Sequence, residues 1–278
     1  MGNFSKRLGK RVLHKGPEKG YCTICGVSGK LSRDHVPPKK CNNLNDVEIS
    51  ALLPSEEYSK IGTTSQGGTH FRTLCSKCNS ERLGLEYDPA LIGFSNEITA
   101  LAIGAKERQI HLPQYVYPII KPQRVARSVI GHVLAAAAIE EIKTGPLTSP
   151  MSDAMREYFL DSSAPMPEML DIYYWIYPSN KQVVIKYFGK AQFGMKATVT
   201  GHVIKFLPLG FWLVWDKPKS VKMNIPKLVK EKGMGLDDRE QLKIDLYNVP
   251  STKFPEAPKD WEINLLNDKY AYVGNPKT

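Results

Sequence analysis

Cysteine is scarce in this chain, with five in 278 residues, and no apolar stretch approaches the roughly 20 residues needed to span a bilayer. A membrane-spanning protein is therefore not expected. No apolar signal-type run precedes the first cysteine, and the N-terminus is basic, which predicts a cytoplasmic chain whose thiols stay reduced. That compartment argues against a disulfide framework. Internal repeats and low-complexity tracts are absent too: Gly-His-Val occurs at 131–133 and 201–203, but the flanks do not match. With 42% hydrophobic and 24% charged residues, the composition suits one large globular domain or two small ones.

Acidic residues are outnumbered, and the formal net charge is +10. The excess is uneven. The first forty residues carry Lys6, Arg7, Lys10, Arg11, Lys15, Lys19, Lys30, Arg33, Lys39 and Lys40 against only Glu18 and Asp34. Such a cluster is the electrostatic footprint of backbone phosphate contact, so a nucleic-acid partner is expected. A solvated basic arm is the bland alternative. An anionic membrane surface would attract the same charge, but no strong apolar face accompanies it, so no membrane partner is expected.

Four of the five cysteines form two pairs, Cys22-Thr-Ile-Cys25 and Cys75-Ser-Lys-Cys78. Two C-x2-C knuckles are what a tetrahedral four-thiolate zinc site needs, because each tight turn presents two sulfurs at a suitable separation. Cys41 is left over as a free thiol without a role. Between the pairs lie Asp34 and His35, in Ser-Arg-Asp-His-Val-Pro-Pro-Lys, and Asn79 directly follows the second knuckle. These three offer hard oxygen ligands and one imidazole, a set that suits a magnesium-type ion beside a general base. His14, His111, His132 and His202 have no motif around them and read as ordinary core or surface histidines.

Residues 20–90 resemble the HNH, or ββα-metal, endonuclease family in its zinc-stapled form. The resemblance rests on the two knuckles, the Asp-His followed by Pro-Pro, the Leu before Cys75 and the Asn after Cys78. It implies Asp34 as first metal ligand, His35 as general base and Asn79 as final metal ligand. The family's central Asn, which braces the hairpin loop, is replaced here by His70, in Thr-His-Phe-Arg-Thr-Leu-Cys. That imidazole is expected either to brace the loop in turn or to touch metal or phosphate. The implied cofactors are Zn2+, held by Cys22, Cys25, Cys75 and Cys78 in a structural role, and a catalytic Mg2+ or Mn2+ on Asp34 and Asn79. A bacterial or phage defence setting is a further expectation from the resemblance alone.

The chemistry explains the residue types. Phosphodiester hydrolysis needs an activated water and a cation to neutralise charge on phosphorus and the leaving oxygen. An imidazole with an ordinary pKa of about 6.5 is suited to accept the water proton. Asp34 and a neutral Asn79 leave more of the cation's charge for the substrate. Zinc enclosed by four thiolates has no open position and serves to hold the module together. Arg72 and Arg82 beside the second knuckle, with Arg33 and Lys39 near the Asp-His, are the candidate phosphate contacts.

Patterning divides the chain into a basic arm (1–20), the zinc module (21–90) and a body (91–278). In the module, short strands are expected around 32–36 and 70–74. A helix should run from Ser76 to 83–87 and be stopped by Asp88-Pro89. The long connection 37–69 reads as functional or partly disordered. In the body, helices are expected over 90–105, 122–143 and 152–160, and strands over 172–177, 182–188, 197–206 and 211–215. Residues 216–278 read as a short helix near 225–232 and a loose end. The fold class is α+β: a zinc-stapled ββα-metal module, then a helical segment and an antiparallel sheet. Tyr173, Tyr174, Trp175, Trp212 and Trp215 are ordinary sheet and core residues, or else a base-stacking surface.

The leading reading is an HNH-type endonuclease acting on DNA, with the body choosing target, partner protein or a second copy of the chain. Two others stand beside it: a non-catalytic zinc module that binds nucleic acid or protein, and a nuclease directed at RNA.

Overall fold

A computed structural model describes residues 16–52, 63–107, 111–192, 198–259, 261–267 and 270–277. Of the expected basic arm, residues 1–15 lie outside the described residues. The fold is α+β, with antiparallel sheets and helices mixed along the chain.

Near the N-terminus, β1 (Lys19–Tyr21) pairs with β2 (Ser28–Lys30), and β3 (Ser32–His35) follows at once. The connection expected to be long does contain structure, β4 (Val47–Ala51) and β5 (Thr63–Ser65), with residues 53–62 outside the description. Next comes β6 (His70–Leu74), antiparallel to β3 in a register that sets Arg33 opposite Arg72, Asp34 opposite Phe71 and His35 opposite His70.

Helix α1 (Lys77–Tyr87) is wound with π spacing, and α2 (Asp88–Lys106) continues it. Asp88-Pro89 was expected to end the helix; instead the chain passes through it. The Asp88 N–H reaches back to the Leu83 carbonyl, and Pro89 falls in the first turn of α2 at the change of winding, where a missing N–H costs least.

Two short strands, β7 (Tyr115–Val116) and β8 (Ile119–Ile120), lead into α3 (Pro122–Ala135) and α4 (Ile139–Thr144). A single helix over 122–143 was expected, yet it breaks at 136–138, three alanines with the best intrinsic helix propensity. Tertiary contacts override propensity here: the Ala135 carbonyl accepts a bond from Thr73 Oγ1 at 2.7 Å, which docks the end of α3 onto β6. Helix α5 (Pro150–Leu160) begins at Ser149, whose hydroxyl accepts the Ser152 N–H.

The large sheet follows from β9 (Leu170–Ile176), β10 (Gln182–Gln192), β11 (Thr198–Phe206) and β12 (Leu209–Trp215). Strands β13 (Glu240–Gln241) and β14 (Ile244–Asp245) pair with β8 and β7. Strand β15 (Glu262–Leu265) joins β10, and β16 (Ala271–Pro276) lies between β10 and β4. The eight-stranded sheet therefore runs β5-β4-β16-β10-β11-β12-β9, with β15 beside β10. The tail expected to be loose supplies an interior strand, and 225–232 is not helical.

Alternation along the strands gives the sheet two buried faces. Ile172, Tyr174, Phe211 and Leu213 share a core with α3, Leu83, Phe71 and Cys22. Tyr173, Trp175, Trp212 and Val214 form the other core, covered by Val221, Met223, Ile225 and Phe254. Tyr173, Tyr174, Trp175 and Trp212 are thus core residues, and Trp215 packs against the first core. No helix among the described residues is long and apolar enough to cross a membrane.

Candidate functional site

The two cysteine knuckles come together. Sγ atoms of Cys22, Cys25, Cys75 and Cys78 all lie within 4.8 Å of one another, and Cys25 and Cys75 sulfurs are 3.7 Å apart. Four sulfurs at zinc–thiolate bond length form a tetrahedron with edges of about 3.8 Å, so the spacing suits a metal ion of that kind. Thiol ionisation leads to the same conclusion. A bond from the Cys78 thiol, with backbone bonds, holds Cys22 at about 5, against the effect of burial. Burial, and then the charges of Cys22 and Cys75, push Cys25 up to about 11, and Cys78 is raised well above the usual thiol range by the Cys22 sulfur and by burial. A bound dication would favour the thiolate form of all four sulfurs. The four cysteines are positioned to bind a metal ion, and a structural zinc fits them. Cys41 is buried apart from the cluster, its thiol pushed up to about 12 by burial.

Pairing of β3 with β6 sorts the neighbouring side chains by face. Arg33, His35, His70 and Arg72 share one face by register, and Asp34, Phe71 and Thr73 share the other. The second face is buried against α3 and the sheet: Asp34 is 4% exposed, and Phe71 packs on Tyr272 with ring centroids 5.2 Å apart.

His35 is half-buried at the end of β3, and its Nε2 lies 3.2 Å from the Gly67 carbonyl. That contact places the N–H on Nε2 and leaves Nδ1 as the proton-accepting atom. Burial lowers its pKa, which keeps the ring neutral. His70 stands beside it, ring centroids 5.6 Å apart, with Nδ1 donating toward Ser65 Oγ and the Gly68 carbonyl, both at 3.2 Å.

Bracing of this loop falls largely to Asn43, a residue that sequence reasoning passed over. Its Nδ2 donates to the Pro37 and Thr69 carbonyls at 2.7 and 2.9 Å, while Oδ1 accepts from the Thr69 N–H at 2.7 Å and from Gln182 Nε2 at 2.9 Å. All four hydrogen-bonding positions of the amide are filled, and Asn43 is fully buried. Gly68 makes this possible: its φ is +103°, and a Cβ there would lie 2.3 Å from Asn43 Oδ1.

Asn79, near the start of α1, donates from Nδ2 to Ser32 Oγ at 3.0 Å and to the Arg33 carbonyl at 2.8 Å. These bonds tie the helix to β3 one residue before Asp34. Asp34 itself turns inward. Its Oδ2 lies 3.1 Å from Nδ1 of His132 on α3, and His132 Nε2 lies 3.0 Å from Asp88 Oδ1, which also accepts the Ser128 hydroxyl at 2.6 Å. Burial works against charge on His132, but Asp88 and Asp34 outweigh it and hold the imidazolium at about 10; burial also pushes the Asp34 carboxyl upward. Close packing allows this reach: a Cβ on Gly131 would lie 2.6 Å from Leu83 Cδ2 and Phe159 Cε2, so only glycine lets α3 come so near α1. The only sequence signal was Ser128 and His132 at i and i+4 in an apolar helix, which periodicity assigns to a solvent face.

The expected phosphate contacts differ in availability. Arg33 and Lys39 are exposed. Arg72 is half-buried, 3.6 Å from Glu18, and Arg82 donates to the Leu160 carbonyl at the end of α5. Of the other histidines, His111 is exposed, and His202 is buried with Nδ1 accepting the Tyr187 N–H at 2.9 Å; His14 lies outside the described residues. A cavity of about 640 Å³, lined by Trp212, Phe254, Lys190 and Lys222, lies on the sheet face opposite the hairpin. Searches of protein-family models, curated proteins and solved structures give no match to this chain.

Proposed function

We propose that this protein is a metal-dependent endonuclease of the HNH type that hydrolyses phosphodiester bonds in DNA. The observation that supports this best is the placement of His35. A neutral imidazole ends a strand stapled to α1 by the cysteine cluster, its Nε2 is held by a backbone carbonyl, and Arg33 and Arg72 share its face. Nδ1 of His35 accepts the proton of the attacking water. Asp34 and Asn79 would hold a divalent cation, which when bound would neutralise charge on the phosphate and the leaving oxygen. Arg33 and Lys39 grip the backbone, and His70 and Asn43 keep the loop carrying the Gly67 carbonyl in place. The four thiolates hold zinc and take no part in the reaction. The body, joined through β4 and β16, selects the target.

Plasmid nicking with magnesium tests this, wild type against His35→Ala. General-base contributions are of the order of 10²–10⁴-fold, so the variant should retain about one percent of the activity or less while keeping its zinc and fold. Near-normal cleavage by the variant would sink the assignment. EDTA should stop the wild-type reaction, and magnesium or manganese should restore it.

A further inference from the structure

We propose that His132, on α3 and outside the zinc module, is the positioning residue for Asp34: its Nδ1 takes Oδ2 and so directs the remaining carboxylate oxygen toward the cation. The inference rests on the nuclease reading above. Asp34 is the first residue of the Asp-His pair, yet its carboxylate does not stand alone at the end of β3. It is buried and bonded through one oxygen to an imidazole 98 residues away in sequence. That imidazole is held in turn: Nε2 meets Asp88 Oδ1, and Ser128, one turn earlier on α3, bonds the same oxygen. His132 is 0% exposed and both its nitrogens are engaged, so the ring has one available orientation.

The groups facing this cluster are Asp34 and His35 from β3, Asp88 from the start of α2, Ser128 and His132 from α3, Tyr272 from β16, whose electrostatics reach Asp34, and the Cys41 thiol, which feels Asp88. A metal-ligating carboxylate free to rotate offers either oxygen. One pinned at Oδ2 presents a single oxygen in a set direction, and partners of this kind typically govern metal affinity by 10–100-fold. Docking of α3 on the hairpin through Thr73 and Ala135 makes the arrangement rigid. The body thereby contributes directly to the geometry of the module's site.

The test is Mn2+ binding to the full zinc-loaded chain, followed by electron paramagnetic resonance, with nicking rates measured in parallel. His132→Leu should weaken Mn2+ binding by about 10–100-fold. Zinc content and DNA affinity should not change. His132→Gln, which keeps an N–H donor for Asp34, should recover much of the loss. Asp88→Asn makes no hydrogen bond to Asp34 and acts on it through His132, so it should weaken binding by a smaller factor, which keeps the proposal testable if the His132 variants fold poorly. Asp34→Ala is the reference. Unchanged Mn2+ binding in Asp34→Ala would overturn the nuclease reading and this inference with it. Lost binding in Asp34→Ala, with wild-type affinity in His132→Leu and Asp88→Asn, would overturn the inference alone. Tighter binding in His132→Leu would also overturn it, since the imidazolium would then be competing with the cation.

Discussion

The four-cysteine cluster lies within the hairpin module, the Asp34 cluster spans the module and the body, and the two are built on opposite principles. Each cysteine pair is local, two residues on one tight turn, and assembly requires only that two turns meet. The Asp34 cluster draws on β3, α2 and α3, with partners 44 and 98 residues apart in sequence. Its residues are buried ionisable groups, which are costly without their partners. The first cluster is positioned to hold the module through one metal ion, and the second fastens the module to the body.

That contrast orders the outcomes expected from perturbation. Stripping zinc should have the largest effect, because structural zinc supplies roughly 10 kcal/mol or more of folding free energy in small domains. Elemental analysis should find about one zinc per chain, and chelation should unfold the hairpin by circular dichroism. A zinc-free preparation with a native spectrum would mean that packing of α3 holds the module without the metal. Asn43→Ala comes next. It removes four hydrogen bonds and strands the Thr69 backbone, so a loss of about 3 kcal/mol is expected in denaturant titration. A loss below about 1 kcal/mol would show that His70 braces the loop unaided.

The smallest effect is electrostatic. Arg33→Ala or Lys39→Ala should each flatten the slope of log DNA affinity against log salt by roughly 0.9, as loss of one phosphate contact on duplex DNA requires. Arg82→Ala should leave that slope alone and cost about 1 kcal/mol of stability, because its guanidinium serves the Leu160 carbonyl. Equal slopes for all four proteins would move the phosphate grip away from the hairpin.

Legibility followed the range of the interaction. The strand at 70–74, the helical stretch over 90–105 and the strands of the body agree with their patterns because alternation and helical spacing act over a few residues. Pro89 misled, since its effect depended on a change of helical winding that no local pattern signals. On α3 the local pattern left the outcome open, since His132 reads equally as a core or a surface histidine. Gln123, Arg127, Ser128 and His132 look like the solvent face of an amphipathic helix, yet all four are buried. Arg127 shows how: its guanidinium caps the carbonyl of Tyr158 in the last turn of α5 and those of Asp161 and Ala164 just beyond it.

By itself, then, the amino-acid order determined the two cysteine knuckles, the Asp-His at the end of a strand, the basic charge and the α+β class. Each of these follows from covalent spacing or from a sum over residues. The tertiary structure alone decided that Asp34 meets His132, that Asn43 takes over the bracing of the loop, and that the C-terminal strand β16 lies inside the sheet. Those outcomes depend on what covers each polar face. A hydrogen-bonding side chain reads the same in sequence whether water or another element lies beside it, and only packing determines which.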